Sequence, residues 1–294
     1  MTMEWDMPRN LGDFANHRER AEWTENLPQA IQELQDVWSL EIGDPFQPGG
    51  QTAWVAPATS PQFGEVVLKV AWRHYEALDE AKGLREWDGD GTVRLLSVHE
   101  VDDNTTALLL ERCHPGTILS ACPEGAQDSV IAGLLRRLWK PPPFALEFRP
   151  LREMCNLWAN EREGQFLREG TAGDAGLLHE GIELFRSLSA SAELNVLLCT
   201  DLHAGNVLSS KREQWLVIDP KPFVGDPTYD ALQHLLNCKG RLRDNPVALV
   251  ARMADLCGLD PSRLGRWLFA RCVIESFDSP TLLDIAHTLA ESLD

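Results

Sequence analysis

The sequence predicts an α+β chain built as two lobes, and three observations predict it. Strand-type runs gather in the first ~110 residues. Helical periodicity dominates after Pro115-Gly116. One strand pair interrupts that second half and brackets a polar loop. Taken in order, residues 12–37 read as a helix, with Ala30, Ile31, Leu34, Val37 and Trp38 at helical spacing. A strand over Leu40–Ile42 leads to the turn Pro48-Gly49-Gly50-Gln51-Thr52 and a strand over Ala53–Ala56. Gly64 opens the next strand, Glu65–Val70, an apolar run that carries Lys69 near its end. Residues 74–87 look helical, and strands near Val93–Val98 and Thr106–Glu111 flank an Asp102-Asp103-Asn104 turn. The lobes are expected to span residues 1–113 and 114–294. Helices are expected near 126–139, 147–169, 174–190, 228–237, 245–257, 261–276 and 280–292. The strand pair is Val196–Cys199 with Trp215–Ile218, and Pro141-Pro142-Pro143 marks a rigid connection.

Composition bounds the function. The chain has 294 residues, 44% of them hydrophobic and 24% charged, which excludes a fibrous or largely disordered protein. Its formal charge of −18 argues against a broad basic surface for nucleic acid or an anionic membrane. The charge is uneven: residues 1–114 hold 21 Asp+Glu against 9 Lys+Arg, while the rest hold 24 against 18. The seven cysteines are odd in number and form no Cys-x-x-Cys pair. They read as reduced core thiols of a cytoplasmic protein, and not as a zinc site. Met1–Asn10 has no apolar run of signal-peptide length, and no stretch has the roughly 20 apolar residues a membrane span needs.

The chemistry concentrates in Cys199-Thr200-Asp201-Leu202-His203-Ala204-Gly205-Asn206, which follows a predicted strand, and in Ile218-Asp219-Pro220 at the end of the next. A carboxylate, an amide five residues on and a second carboxylate at a strand end are the parts phosphoryl transfer needs. One carboxylate orients the attacking hydroxyl, and hard oxygen ligands hold Mg²⁺ against phosphate charge. Lys69 lies between apolar neighbours on both sides, so its strand is expected to be buried and the lysine to need a partner. Gly49-Gly50 suits a plain hairpin turn as well as a phosphate-covering one. His203 suits a structural hydrogen bond better than metal ligation. The acidic run Glu153, Glu161, Glu163, Glu169, Asp174, Glu180 and Glu183 reads first as a solvated face, and second as a surface for a cationic substrate.

Together with Gly225-Asp226-Pro227-Thr228-Tyr229-Asp230, these motifs resemble the aminoglycoside phosphotransferases, small kinases of protein-kinase-like fold. Glu80-Ala81-Lys82-Gly83-Leu84-Arg85-Glu86-Trp87, Leu110-Glu111-Arg112-Cys113 and Pro115-Gly116-Thr117 are similar to the branch of streptomycin 6-phosphotransferases and hydroxyurea resistance kinases. The resemblance runs from about residue 40 to 237. It implies a five-stranded antiparallel sheet in the N-terminal lobe and a mostly helical C-terminal lobe. It implies ATP and Mg²⁺, with Asp201 as the catalytic carboxylate and Asn206 and Asp219 as metal ligands. Lys69 would contact the nucleotide phosphates, with Glu80 or, one turn away, Glu76 as its partner. Gly49 and Gly50 would lie over the phosphates, and Glu111 to Cys113 would pair with adenine. Asp226 and Asp230 would brace the lobe. Cys199 and Thr200 depart from the family's usual His-Gly before the aspartate, so a change in loop packing is expected, with activity kept. The implied acceptor is a cationic aminoglycoside, streptomycin through its 6-hydroxyl. Hydroxyurea, another aminoglycoside and an amino alcohol stand as alternatives, with a nucleotide-binding pseudokinase behind them. A monomer is the expected state.

Overall fold

A computed structural model describes residues 7–14, 18–142, 147–169 and 174–293. Residues 1–6 of the N-terminal segment, Pro143 in the proline run and the 15–17 portion of the first predicted helix lie outside the described residues. The chain forms two compact units. The first comprises Met1–Gly116 together with Ser209–Leu216, and the second Thr117–Leu208 together with Val217–Asp294.

In the first unit, α1 (Arg9–Phe14) and α2 (Arg18–Trp38) precede β1 (Glu41–Ile42), β2 (Ala53–Ser60) and β3 (Gly64–Trp72). A 3-10 turn, Tyr75–Asp79, leads into α3 (Glu80–Trp87), followed by β4 (Leu95–Asp102) and β5 (Thr105–Glu111). The strands form one antiparallel sheet in the order β1-β2-β3-β5-β4. Period-2 alternation decides what each face carries. Trp54, Ala56 and Ala58 of β2, Val66, Leu68 and Val70 of β3, and Ala107 and Leu109 of β5 pack with Leu27, Ile31 and Leu34 of α2. Lys69 falls between Leu68 and Val70 and so projects from the opposite face, opposite Val55 on β2 and Leu108 on β5.

The second unit holds α4 (Glu124–Leu138), α5 (Leu151–Glu169), α6 (Ala175–Ala190), β7 (Val196–Leu198) and β10 (Phe223–Gly225), while β6 (Pro115–Ile118), β8 (Val207–Ser210) and β9 (Trp215–Val217) are divided between the two units. It ends in α7 (Pro227–Asp230), α8 (Leu232–Asn237), α9 (Lys239–Asp244), α10 (Pro246–Cys257), α11 (Pro261–Ser276) and α12 (Thr281–Leu293). Its centre is α11, where Trp267–Ile274 is an unbroken buried run. A helix apolar on every side must be surrounded by others. Gly181 lets α6 approach it, because a Cβ there would stand 2.4 Å from Val273. Among the described residues no helix is long and apolar enough to cross a membrane.

One expectation fails. The segments 196–199 and 215–218 do not pair with each other. Instead β7 pairs antiparallel with β10, aligning Leu198 with Phe223, while β9 belongs to a sheet of order β6-β8-β9. The turn between β8 and β9 is short, so local closure competes well against a more distant pairing.

Candidate active site

In the first unit, β3 and α3 bring Lys69 and Glu80 together. Lys69 Nζ donates to both carboxylate oxygens of Glu80, at 2.6 and 2.7 Å. Both residues are buried, at 6% and 3% exposure, so each charge depends on the other. Glu76, the alternative partner, instead lies 2.6 Å from His74 Nδ1. Gly49 is held by the N-terminal segment: Asn10 Nδ2 donates to its carbonyl at 2.9 Å, and a Cβ on it would stand 2.4 Å from that of Pro8. With φ at +80°, it is also a position that favours glycine. Gly50 follows it beside the carbonyl of Ala53.

Glu111 ends β5, and its N–H is committed to the carbonyl of Arg94 at 2.9 Å. Its carboxylate forms a fork with Arg212, at 2.9 Å from both Nε and Nη2. Burial would raise this carboxyl's pKa, but Arg212 and the Arg94 N–H hold it below its usual value. Arg212 also donates to the carbonyls of Gly89 and Thr92, at 2.7 and 2.8 Å. These bonds attach 209–216 to the first unit, and nothing local in Ser209-Ser210-Lys211-Arg212 announces them. The Cys113 thiol is pushed up to about 11 by burial and by the charge of Glu111, so it is not a nucleophile.

In the second unit, Asp201, Asn206 and Asp219 meet. A 3-10 turn over Ala204–Asn206 returns the chain so that Asn206 Nδ2 donates to the carbonyl of Asp201 at 3.0 Å and to its Oδ2 at 3.2 Å. The Ile218 N–H then donates to the Asn206 carbonyl at 2.9 Å, which fixes the strand end that carries Asp219. With Nδ2 turned to Asp201, the amide oxygen of Asn206 faces away from it. That oxygen and the carboxylate of Asp219 are hard donors of the kind Mg²⁺ takes. Burial first, and the charge of Asp219 second, push the Asp201 carboxyl up to about 6, against the opposing charges of Lys221 and Arg271.

Asp230 braces this loop from beneath. Its carboxylate accepts the N–H groups of Cys199 at 3.1 Å and Thr200 at 2.5 Å, and the indole N–H of Trp139 at 3.0 Å. Asp226 accepts from Arg263 Nε and Trp267 Nε1, both at 2.7 Å, so both expected braces are in place. Thr200 has φ of +51° and Asp219 +55°, left-handed values that a β-branched threonine rarely adopts. The Thr200 hydroxyl compensates by donating to the Lys221 carbonyl at 2.5 Å. Cys199 is wholly buried, and burial together with Asp230 and Asp201 drives its thiol well above the normal value. It is a neutral packing residue where the family usually has histidine.

His203 accepts the Gly205 N–H on Nδ1 at 3.1 Å, the structural bond expected of it. Burial, then the charge of His234, keeps its pKa below normal. Of the acidic run, Glu163 and Glu183 pair with Arg186, and Asp174 caps α6.

Three buried charged features escaped sequence reasoning. Lys221 is 8% exposed and its ammonium bonds the carboxylate of Asp219. Arg271 is buried with its guanidinium 4.5 Å above the Trp158 ring, bonded to the Tyr229 hydroxyl and, at 2.6 Å, to Glu275. The third is a buried ionic cluster. Asp128, fully buried, takes Arg241 at 2.7 Å, Arg252 at 2.6 Å and His234 Nε2 at 2.9 Å. Cys238 joins Asp128 and His234 in a group close enough to ligate a metal, but two guanidinium ions already on the carboxylate make it a poor place for a cation. A cavity of about 350 Å³ lined by Asp226, Asp260, Arg263 and Arg266 lies in the same unit and, apart from the brace Asp226, holds none of the residues expected for catalysis, nucleotide or metal.

A family model described as aminoglycoside/hydroxyurea antibiotic resistance kinase matches residues 44–277. The chain belongs to this family. It is 37% identical to a hydroxyurea phosphotransferase of Kitasatospora aureofaciens, over 86% of this chain and 73% of that one. It is 34% identical to a streptomycin 6-kinase of Streptomyces glaucescens, over 92% of this chain and 90% of that one. The choline kinase LicA of Streptococcus pneumoniae superposes with a TM-score of 0.62 at 14% identity, over 91% of this chain and 99% of that one. An aminoglycoside phosphotransferase crystallised with AMP-PNP and hygromycin B superposes with a TM-score of 0.59 at 16% identity, over 88% and 94%. The fold is therefore protein-kinase-like, and this family member is an ATP-dependent phosphotransferase with a hydroxyl acceptor.

Proposed function

We propose that this kinase transfers the γ-phosphoryl group of ATP to the 6-hydroxyl of streptomycin. The observation that carries the reading is the meeting of Asp201, Asn206 and Asp219 in one loop system, with Asn206 bonded to Asp201 and tied to the strand before Asp219. Two streptomycin 6-kinases among the relatives, at 34% and 32% identity, support the acceptor.

Asp201 takes the proton of the acceptor hydroxyl as its oxygen bonds to the γ-phosphorus. The bond from that phosphorus to the β-phosphate bridging oxygen breaks, and ADP leaves. Asn206 and Asp219 would hold Mg²⁺, which would offset charge on the phosphates. Lys69 meets the nucleotide phosphates, and Glu80 fixes its ammonium in place. The N–H of Glu111 is spent on Arg94, so the remaining backbone groups of Glu111 to Cys113 would pair with adenine. Gly50 is the part of the Gly49-Gly50 turn left to approach the phosphates, because Gly49 is packed under Pro8. The mechanism is positioning and electrostatics, with no covalent enzyme intermediate. The product carries a dianionic group on a formerly cationic ring, which would spoil its contacts with ribosomal RNA and confer resistance in the cytoplasm.

The second reading, phosphorylation of hydroxyurea, is favoured by the 37% identical relative. Incubating the purified chain with γ-labelled ATP and streptomycin, hydroxyurea or kanamycin separates them. Label on streptomycin, with growth of a sensitive bacterium on that drug, bears out the first reading. Label on hydroxyurea alone replaces it with the second.

A further inference from the structure

Lys221 is a buried ammonium placed among the carboxylates that the reaction uses. Its backbone is fixed from two sides: its N–H donates to the Cys199 carbonyl at 2.8 Å, and its own carbonyl accepts the Thr200 hydroxyl at 2.5 Å. Both partners immediately precede Asp201. The side chain bonds Asp219, and its charge reaches Asp201 strongly enough to oppose the rise in that group's pKa. The other cation felt at Asp201, Arg271, is committed to Glu275 and Tyr229 and is wholly buried. His203 is held toward its neutral form by burial and by His234, so it brings no charge to the same place.

A buried lysine is stable only beside an anion. When Asp219 turns its oxygens to a divalent cation, the attraction between that carboxylate and the ammonium weakens. The anion that arrives with the cation is the terminal phosphate of the nucleotide. We propose that Lys221 is a further catalytic residue: its ammonium exchanges Asp219 for the non-bridging oxygens of the γ-phosphoryl group and stays with them through transfer. This inference rests on the kinase reading and adds to it a cation from the helical unit that acts on the group being moved. The exchange makes and breaks no covalent bond. One ion pair replaces another, and the lysine keeps its proton throughout.

The inference separates γ-phosphate recognition from general nucleotide binding, and the test reads that difference. Calorimetry with Mg²⁺ gives the affinities of Lys221→Met and of the unaltered protein for AMP-PNP and for ADP. The expected result is a loss of about tenfold or more in AMP-PNP affinity, with ADP affinity changed much less, since one charge-assisted bond to the γ-phosphate is lost. Turnover should fall about 10²-fold, as when one transition-state donor is removed. Lys221→Arg should recover part of both effects. Equal losses for the two nucleotides, or none, in a variant that melts cooperatively would overturn the proposal. If Lys221→Met does not fold, a crystal structure of the unaltered protein with Mg²⁺ and AMP-PNP decides: Nζ on a γ-phosphoryl oxygen supports the exchange, and Nζ still on Asp219 refutes it. Failure of the unaltered protein to bind either nucleotide refutes the kinase reading itself and this inference with it.

Discussion

The two halves of the proposed phosphotransfer machinery handle buried charge in opposite ways. In the sheet unit, Lys69 and Glu80 form a buried pair of opposite charge with two short bonds. In the helical unit, Asp201 and Asp219 stand close enough that the charge of one raises the pKa of the other, even with Lys221 bonded to Asp219. In the proposed mechanism the paired half orients, since two short bonds hold the ammonium in place. The crowded half holds carboxylates that repel, and such a site gains by taking up a cation. The −18 charge excess lies mostly in the first 114 residues, so it does not by itself mark the catalytic half. Local arrangement does that.

The sharpest way to break this comparison is to relieve the crowding. Asp219→Ala should lower kcat about 10³-fold, because phosphoryl transfer rests almost wholly on positioning and charge. A coupled assay of ADP release measures it. The same substitution should bring the Asp201 pKa down from about 6, a shift readable by NMR of the metal-free protein. A cluster outside the proposed reaction should answer in stability instead. Asp128→Ala would leave Arg241, Arg252 and His234 without their carboxylate and should cost about 3–5 kcal/mol in urea unfolding. Glu80→Gln leaves the Lys69 bond but removes its ionic partner, and should raise KM for ATP about tenfold with a smaller loss in kcat.

The pH response distinguishes the clusters further. Burial alone would lower the His234 pKa, but Asp128 and Cys238 raise it to about 9. A folded pKa above the unfolded value of 6.5 means the stabilisation is complete below pH 6.5 and fades as pH rises toward 9. His234→Gln should therefore flatten the alkaline fall in melting temperature, worth about 1–3 kcal/mol across that window. The smallest effect is expected at Thr200. Thr200→Gly relieves the left-handed strain and loses the hydroxyl bond to Lys221, two terms of about 1 kcal/mol each that nearly cancel.

The residues legible in the sequence were those whose partners are near in the chain or fixed by strand position. Asp201 and Asn206 are five apart, Asp219 ends a strand, and Lys69 interrupts an apolar run, so their positions drew notice in the sequence and the family resemblance supplied the roles expected of them. The fold class was legible for the same reason, because long periodic segments dominate both units. Lys221 and Arg271 were not legible, since their meaning comes from folding that brings 199–201, 219–221 and 271 together. The pairing of β7 with β10 was hidden because Phe223–Gly225 is three residues long and carries no alternation to read. Arg212 lay in a polar turn whose attachment to Glu111 depends on a partner 101 residues away.

The central claim is that Asp201 is the carboxylate that readies the acceptor hydroxyl. Its most direct test is single-turnover transfer of label from γ-labelled ATP to streptomycin by Asp201→Ala, with ADP affinity and melting temperature measured on the same sample. The account predicts transfer slowed by about 10²–10⁴-fold, the contribution of a positioned general base, with nucleotide binding and fold retained. Transfer at the unaltered rate by that folded variant would contradict it.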